Sequence, residues 1–193
     1  AAELEGQDAS VDRVEWRPPV PGTEEALESL AMHSPAIASA NDEATARLTE
    51  ARPLLISVGI ARDVLPEISD RTLLHAGPPI EWPDMAGPLR GAIIGAAIYE
   101  GLAADAEDAE RKAAAGEFEF GPCHERGAVG PMAGVVSPSM PVVIVENDTH
   151  GNRAFCTFNE GLGKVLRYGA YDGEVLTRLR WMADVLAPTF AEA

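Results

Sequence analysis

The fold is decided by residues 121–167, GPCHERGAVGPMAGVVSPSMPVVIVENDTHGNRAFCTFNEGLGKVLR. Three short apolar runs in this stretch predict strands, at 135–136, 141–145 and 154–158. Polar segments that contain glycine separate the runs, and each could bring chemical groups to one edge of a sheet. A terminal helix is expected after residue 164. The stretch therefore indicates an α/β arrangement.

The residues before this stretch extend the same pattern. Leu54 to Val58, between Pro53 and Gly59, are typical of a buried strand, and 72–76 predict another. Small residues recur with leucine and isoleucine over 85–104, which predicts a buried helix packed closely against a neighbour. We expect an α/β fold, a wound sheet with flanking helices.

The N-terminal region predicts less regular structure. Residues 1–22 are acidic and lack a periodic apolar face, so we expect an arm, followed by a single α/β lobe over 23–193 that is part of a larger composite unit. Thr23 should cap a first helix that Pro35 interrupts. Asn41 should cap a second helix, reaching about Ala51.

Composition excludes several classes of function. The 193 residues contain 15 lysine and arginine against 31 aspartate and glutamate, a formal net charge of −16. Such a charge disfavours nucleic acid and anionic membranes as partners. The first thirty residues lack a basic start and an uninterrupted apolar stretch, so we expect a soluble, cytoplasmic protein with Cys123 and Cys156 as thiols.

The charge is unevenly distributed along the chain. Residues 1–50 contain eleven acidic residues against three arginines, whereas 153–181 contain five basic residues against three acidic ones. The second region should attract an anionic small molecule. For Arg178 and Arg180, the solvated face of a helix is the favoured interpretation.

Two histidines are candidates for proton transfer. His75 ends a predicted strand and precedes a proline-rich loop with Glu81, where α/β sheets place ligands. A histidine satisfied by a backbone carbonyl is the equal alternative. His124, in the segment Cys123–Arg126, is a possible acid or base. A metal site is not expected, because neither cysteine is in a CxxC pair.

A second set of residues could bind a planar amide or carboxylate. Asn147, Asn152 and Asn159 supply neutral donors, Arg153 a fork-shaped cation and Glu160 a carboxylate that could move a proton. Asx-type turns and a surface salt bridge are the alternative.

The segment Gly161-Leu162-Gly163-Lys164 is not an ATP-type phosphate loop. Phe158 stands where the first glycine should be and Val165 where serine or threonine is required. Backbone N–H groups at Gly161 and Gly163, with Lys164 and Arg167, could still bind an anion at a helix start. No GxSxG motif and no cofactor motif is present.

Four blocks carry a resemblance to a known family. They are LLHAGPPIEWPDMAGPLRGAIIGAAIYEGLA (73–103), GPCHERGAVGPMAG (121–134), SPSMPVVIVEN (137–147) and GNRAFCTFNEGLGKVLRYGAY (151–171). They strongly resemble the YlbE-like bacterial family, which includes a subunit of oxamate carbamoyltransferase. The resemblance covers most of residues 40–185 and only part of the family's length.

The resemblance implies a cytoplasmic subunit of a carbamoyl-transferring assembly. Its partners would be a subunit similar to the succinyl-CoA ligase alpha chain and a third small subunit. The assembly would exchange a carbamoyl group between carbamoyl phosphate and an amide or amino acceptor such as oxamate. No catalytic residue is carried over from the family.

Combined with the residues, this gives a leading hypothesis. Arg153, Lys164 and Arg167 would neutralise phosphate or carboxylate; Asn147, Asn152 and Asn159 would orient the carbamoyl group; His75, His124 or Glu160 would move the proton. Arg153→Ala would then cut carbamoyl transfer by orders of magnitude. The alternatives are a non-catalytic structural subunit with an interface at the glycine ridge of 87–95 and the proline loop, and a small-amide hydrolase.

Overall fold

The protein is described by a computed structural model that covers residues 20–130, 132, 134–159, 165–166 and 170–193. The chain divides into two compact units, Ala1–Glu50 and Ala51–Ala193, each described by itself. Most of the predicted acidic arm lies outside the described residues. The extent of the lobe proposed for 23–193 stays a prediction.

The first unit contains two helices, α1 (Glu24–Met32) and α2 (Ser34–Thr49). The second helix begins seven residues before the predicted start, so the assignment of Asn41 as its cap was wrong. Pro35 lies in the first turn of α2, where a helix needs no backbone N–H donor and the fixed φ of proline suits the geometry. The proline therefore starts a helix as well as ending the one before it.

The second unit alternates strands and helices. In chain order they are β1 (Pro53–Ile60), α3 (Ala61–Val64), β2 (Thr72–His75), α4 (Gly87–Tyr99), α5 (Ala106–Ala114), β3 (Glu119–Pro122), β4 (Ala128–Val129), β5 (Val135–Val136), β6 (Pro141–Asn147), β7 (Arg153–Thr157), α6 (Gly173–Trp181) and α7 (Ala187–Glu192). A 3₁₀ turn covers Cys123–Arg126, and a π-helical turn, Met182–Leu186, joins α6 to α7.

The strands form two mixed sheets. The four-stranded sheet has the order β1-β6-β7-β4, antiparallel except for the parallel pair β7 and β4. The three-stranded sheet has the order β3-β2-β5, with β2 parallel to β3 and antiparallel to β5. Helices flank these sheets, so the predicted α/β class is confirmed.

Alternate residues of β2 and β5 contribute to two different cores. Leu73 and Val135 pack with α4, α5 and α6 in the larger core. Leu74 and Val136 pack in a smaller core beneath the four-stranded sheet. Because side chains alternate along a strand, β2 is buried on both faces. This explains why His75, at its end, is fully buried.

Helix α4 packs as closely as its small residues predict. Its residues from Gly91 to Ala97 are all buried. A Cβ atom on Gly95 would lie 2.4 Å from Leu166 Cδ1 and 2.6 Å from Tyr171 Cβ, so no larger residue fits there. At Gly95 the glycine ridge thus serves contacts within this chain.

Strand β1 forms where predicted, but the prediction that it is buried was wrong. It is an edge strand, hydrogen-bonded among the described residues only to β6. Leu54, Leu55 and Ile56 are 46%, 63% and 44% exposed. An apolar run predicts burial, but it cannot tell which element supplies the cover.

Candidate functional site

His75 is the centre of the candidate site. It is the last residue of β2, the middle strand of the three-stranded sheet, and its side chain is fully buried. Neither ring nitrogen has a hydrogen-bond partner among the described residues. Buried polar groups in folded proteins are nearly always hydrogen-bonded, so an unsatisfied imidazole calls for a functional explanation.

The turn Cys123–Arg126 lies beside His75. Strand β3 runs parallel to β2 and places Pro122 opposite His75, so the chain enters the turn at the same sheet edge. Gly127 ends the turn with a φ of +65°, a conformation that glycine adopts without strain. The structure thus brings together His75 and His124, two histidines 49 positions apart that were each predicted from the sequence as candidates for proton transfer.

Burial is the main reason why His75 favours its neutral form. Burial lowers its pKa below 6.5, the positive charge of a protonated His124 lowers it further, and Glu125 opposes both effects. Near neutral pH the ring is therefore uncharged, with one nitrogen able to accept a proton and the other able to donate. Because Glu125 acts on the pKa of His75, its carboxylate is a further candidate for the site. It was not predicted from the sequence as a site residue, although its position next to His124 could have indicated it.

Cys123 lies in the same turn but is not a nucleophile in this state. Burial raises the pKa of its thiol to about 12. A Cβ atom on Gly130 would lie 3.0 Å from the Cys123 sulfur, so the thiol fills space between the turn and the next loop. Within the described parts of the chain, no three His, Cys, Asp or Glu side chains converge to hold a metal ion.

Arg126 is the last residue of the turn Cys123–Arg126. Its Nη1 lies 2.9 Å from Glu67 Oε2. Glu67 has a φ of +52°, which is uncommon for a residue other than glycine, and the ion pair joins this unusual backbone to the turn. The Nε atom of Arg126 is buried and has no partner among the described residues. A cation thus lies two residues from His124.

The β6–β7 hairpin holds the second group of predicted site residues, and there the polar groups already have partners. Asn147 Oδ1 accepts the backbone N–H of Arg52 at 3.1 Å and that of Thr149 at 3.2 Å. Arg153 Nε donates to Glu146 across the hairpin at 2.8 Å. Asn152 is exposed, and its carbonyl accepts the backbone N–H of Asn147 at 2.8 Å. The Asx-turn and salt-bridge alternative accounts for these contacts.

The β6–β7 hairpin and the turn Cys123–Arg126 are connected through backbone contacts at Gly127. Gly127 accepts the N–H of Phe155 at 2.9 Å, and a Cβ atom on Gly127 would lie 3.5 Å from the Arg153 carbonyl oxygen. The Arg153 backbone is therefore adjacent to the turn, while its guanidinium is bound to Glu146.

Asn159 is buried and fully engaged. Its Nδ2 donates to the Leu166 carbonyl at 3.1 Å, and its Oδ1 accepts the Leu166 N–H at 2.8 Å. The amide thus joins Asn159 to the backbone of Leu166. The other predicted site residues lie outside the described part of the chain: Glu160, Gly161, Gly163, Lys164 and Arg167.

A polar cluster that the sequence did not reveal lies at the connection between β5 and β6, where the chain passes from one sheet to the other. The Glu100 side chain, 6% exposed, accepts a hydrogen bond from Ser137 Oγ at 2.5 Å and from the backbone N–H of Ser139 at 2.8 Å. Arg62 Nη2 lies 3.9 Å from the same carboxylate. Ser137 follows β5, whose Val135 pairs with His75. The cluster fixes the strand beside the candidate site.

A large groove lined by described residues lies elsewhere. It has a volume of about 880 Å³ and is lined by Asp172, Gly173, Glu174, Thr177, Arg178 and Trp181 of α6 and its cap. None of the described candidate site residues lines it. This groove therefore contains none of the described candidate residues, whereas His75 combines burial with two ring nitrogens that have no described partner.

Comparison with known proteins confirms the resemblance drawn from the sequence. Residues 118–193 match a family described as oxamate carbamoyltransferase subunit AllG. The chain is 49% identical over 158 residues to the Escherichia coli protein named oxamate carbamoyltransferase subunit AllG, and 43% identical over 196 residues to the uncharacterized E. coli protein YahG. It is thus homologous to part of this family of subunits.

The matches are partial on the relatives' side. They cover 81% and 99% of this chain but 38% and 42% of the two E. coli proteins. A crystal structure of a conserved protein of unknown function from Enterococcus faecalis V583 superimposes with a TM-score of 0.77 at 49% identity, covering 81% of this chain and 37% of that one. The chain therefore spans about two fifths of these relatives. Among the helices in the described parts of the chain, none could span a lipid bilayer.

Proposed function

We propose that this chain is a subunit, or one lobe, of a carbamoyltransferase, and that the end of β2 is where it contacts a small carbamoyl- or amide-bearing anion. The homology to a protein named as a subunit of oxamate carbamoyltransferase supports the reaction class. The observation that carries the location is His75, a buried imidazole whose two nitrogens have no partner in the described residues.

The proposed chemistry follows from the protonation state of His75. The nitrogen of the acceptor attacks the carbamoyl carbon, the C–O bond to phosphate breaks, and inorganic phosphate leaves with the bonding electrons. The proton lost by the acceptor nitrogen passes to the neutral His75 ring, whose lowered pKa keeps it unprotonated at neutral pH. His124 would donate a hydrogen bond to phosphate or carboxylate oxygens, and Arg126 would bind them once its guanidinium leaves Glu67.

Arg153 has a conditional place in this proposal. Its guanidinium would have to leave Glu146 before it could bind a substrate anion. Lys164 and Arg167 keep the role proposed from the sequence. The partners implied by the family resemblance, a succinyl-CoA-ligase-like subunit and a third small subunit, would complete the assembly in the cytoplasm.

Isothermal titration tests this proposal. Carbamoyl phosphate and oxamate are titrated into the isolated chain and into the His75→Gln variant. We expect binding heat from the wild-type chain and its loss in the variant, with unchanged binding in His150→Gln, an exposed hairpin histidine, as the control. Binding that is unchanged in His75→Gln would place the substrate elsewhere.

The second candidate function is a non-catalytic structural subunit, and the complete burial of His75 favours it. In this case the His75 imidazole would have a structural role, and its hydrogen bonds would form only when a partner subunit is bound. The isolated chain would then give no heat with either ligand, and binding would appear only after the partner is added.

A further inference from the structure

The four-stranded sheet has an apolar face that is open to solvent. Two cross-strand rows define this outer face. Leu55, Val145 and Ala154 form one row, and Val58, Val143, Cys156 and Val129 form the other. Every residue in both rows is apolar or a thiol, and none carries a charge.

The opposite face of the same sheet already holds a core. Ile144 and Phe155 are buried there with Ala128. An antiparallel sheet with one solvated face normally alternates apolar and polar residues. Here the alternation is missing, because the two rows of the outer face are apolar as well. Leu55 and Val129 in these rows are nevertheless 63% and 58% exposed. Strands with two apolar faces are typical of a sheet covered on both sides.

Only one end of the outer face is covered by described residues. Helix α7 lies against β1, where Val58 and Ile60 border a small groove of about 190 Å³ together with Ala187. Cys156, Ala154 and Val129 on the neighbouring strands remain exposed. The cover therefore stops partway across the sheet.

We propose that the outer face binds an amphipathic helical segment from the part of the relatives that this chain does not match. That part is large, since the match covers 38% of one E. coli relative and 37% of the E. faecalis chain. A sheet with two apolar faces is completed by helices on both sides, which is the arrangement α/β layers adopt. A second copy of the chain is disfavoured, because each copy carries a formal charge of −16 and the two would repel.

Cys156 provides a direct probe of this proposal. The residue is exposed on the outer face, whereas Cys123 is buried with a thiol pKa raised to about 12. A maleimide will therefore label Cys156 in the folded chain, and Cys123 will serve as the internal reference for unfolding. The chain is co-expressed with the unmatched part of the E. coli AllG relative, purified by a tag on the chain, and labelled over time.

We expect the segment to co-purify and the labelling rate of Cys156 to fall by about tenfold or more, as expected for a thiol whose exposure is removed. Val129→Asp should abolish co-purification and restore labelling. Leu48→Asp, at a residue 79% exposed in α2, is the matched control and should change neither. If Val129→Asp does not fold by circular dichroism, Leu55→Asp tests the same face.

Three results would overturn the proposal. The segment could co-purify while Cys156 stays reactive, which places the contact elsewhere. Protection could instead rise with the concentration of the chain alone, which makes a second copy the occupant. A segment that remains insoluble or unbound when co-expressed also counts against it, whereas one that becomes soluble only with the chain supports it.

Discussion

The end of β2 and the β6–β7 hairpin both carry the kinds of polar residue that bind small anions, but they differ in what those residues contact. At the hairpin, the Asn147 side chain accepts two backbone N–H groups and Arg153 pairs with Glu146. At the end of β2, His75 is buried and its ring nitrogens have no partner in the described structure.

The difference separates structural polar residues from candidate functional ones. A polar side chain that satisfies its own backbone or a neighbour is already used, and binding a ligand would cost those bonds. A buried polar group without a partner has lost its hydrogen bonds to water and has not replaced them. A ligand that hydrogen-bonds to it would recover part of that free energy. The predictions below test whether this distinction holds.

The largest effect is expected at His75. In the reconstituted carbamoyltransferase complex, His75→Gln should lower kcat by about 10²–10⁴-fold, the usual contribution of a general acid or base. Glutamine keeps the polarity of the side chain but cannot take up a proton. Carbamoyl phosphate consumption at saturating acceptor measures the effect.

His150→Gln, in the hairpin, is the matched control and should leave kcat unchanged. The comparison fails if the two variants lose the same activity, or if His75→Gln retains turnover close to that of the wild type. Retained turnover would favour the structural-subunit interpretation.

The next effect is on stability and concerns Asn159. Asn159→Ala removes both hydrogen bonds to the Leu166 backbone and leaves two buried groups unsatisfied, which should lower the free energy of unfolding by about 2–4 kcal/mol. Asn152→Ala, at an exposed position, should change it by less than about 0.5 kcal/mol. Urea denaturation measures both. Equal losses would show that the hydrogen bonds between the Asn159 amide and the Leu166 backbone do not stabilise the fold.

The α/β class and most strand positions could be predicted from the sequence, because short apolar runs between glycine- and proline-rich segments depend only on local pattern. The start of α2 could not, because a proline near a helix boundary fits either the end of one helix or the first turn of the next. The exposure of β1 could not be predicted either. An apolar strand indicates that its side chains are buried in the complete fold, but it does not show which element packs against them.

The candidate site was predictable in part for the same reason. The sequence placed His75 at a predicted strand end and His124 in the segment Cys123–Arg126. Their proximity depends on the parallel pairing of β2 with β3, a long-range contact that no local pattern specifies. The hairpin residues carried an equally strong sequence signal. Their engagement with Arg52 and Glu146 is visible only once strand registers are known.

A smaller effect is expected in the pH dependence of stability. Because burial lowers the pKa of His75 in the folded state, the unfolded chain binds a proton below about pH 6.5 while the folded chain does not. Stability should therefore fall as pH drops below that value and level off once pH passes below the folded pKa. The slope from this residue is at most about 1.4 kcal/mol per pH unit.

Urea denaturation between pH 7.5 and 5 isolates this contribution when wild type and His75→Gln are compared, because other titrating groups are common to both. Titration of the His75 ring by NMR gives the folded pKa directly. A folded pKa at or above 6.5, or identical slopes for the two proteins, would contradict the buried, neutral assignment.

The smallest effect is expected at Arg153. This residue gives the most stringent test of the difference between the hairpin and the end of β2. Its pair with Glu146 is largely solvated, so Arg153→Ala should lower the free energy of unfolding by about 0.2–1 kcal/mol, and less at high salt. Carbamoyl transfer should change by no more than about threefold, a difference below 1 kcal/mol in transition-state stabilisation. The charge pattern of the sequence predicts the opposite, a loss by orders of magnitude. If that larger loss is measured while stability is unchanged, Arg153 must exchange Glu146 for substrate during turnover, and an occupied side chain would no longer count as a structural one.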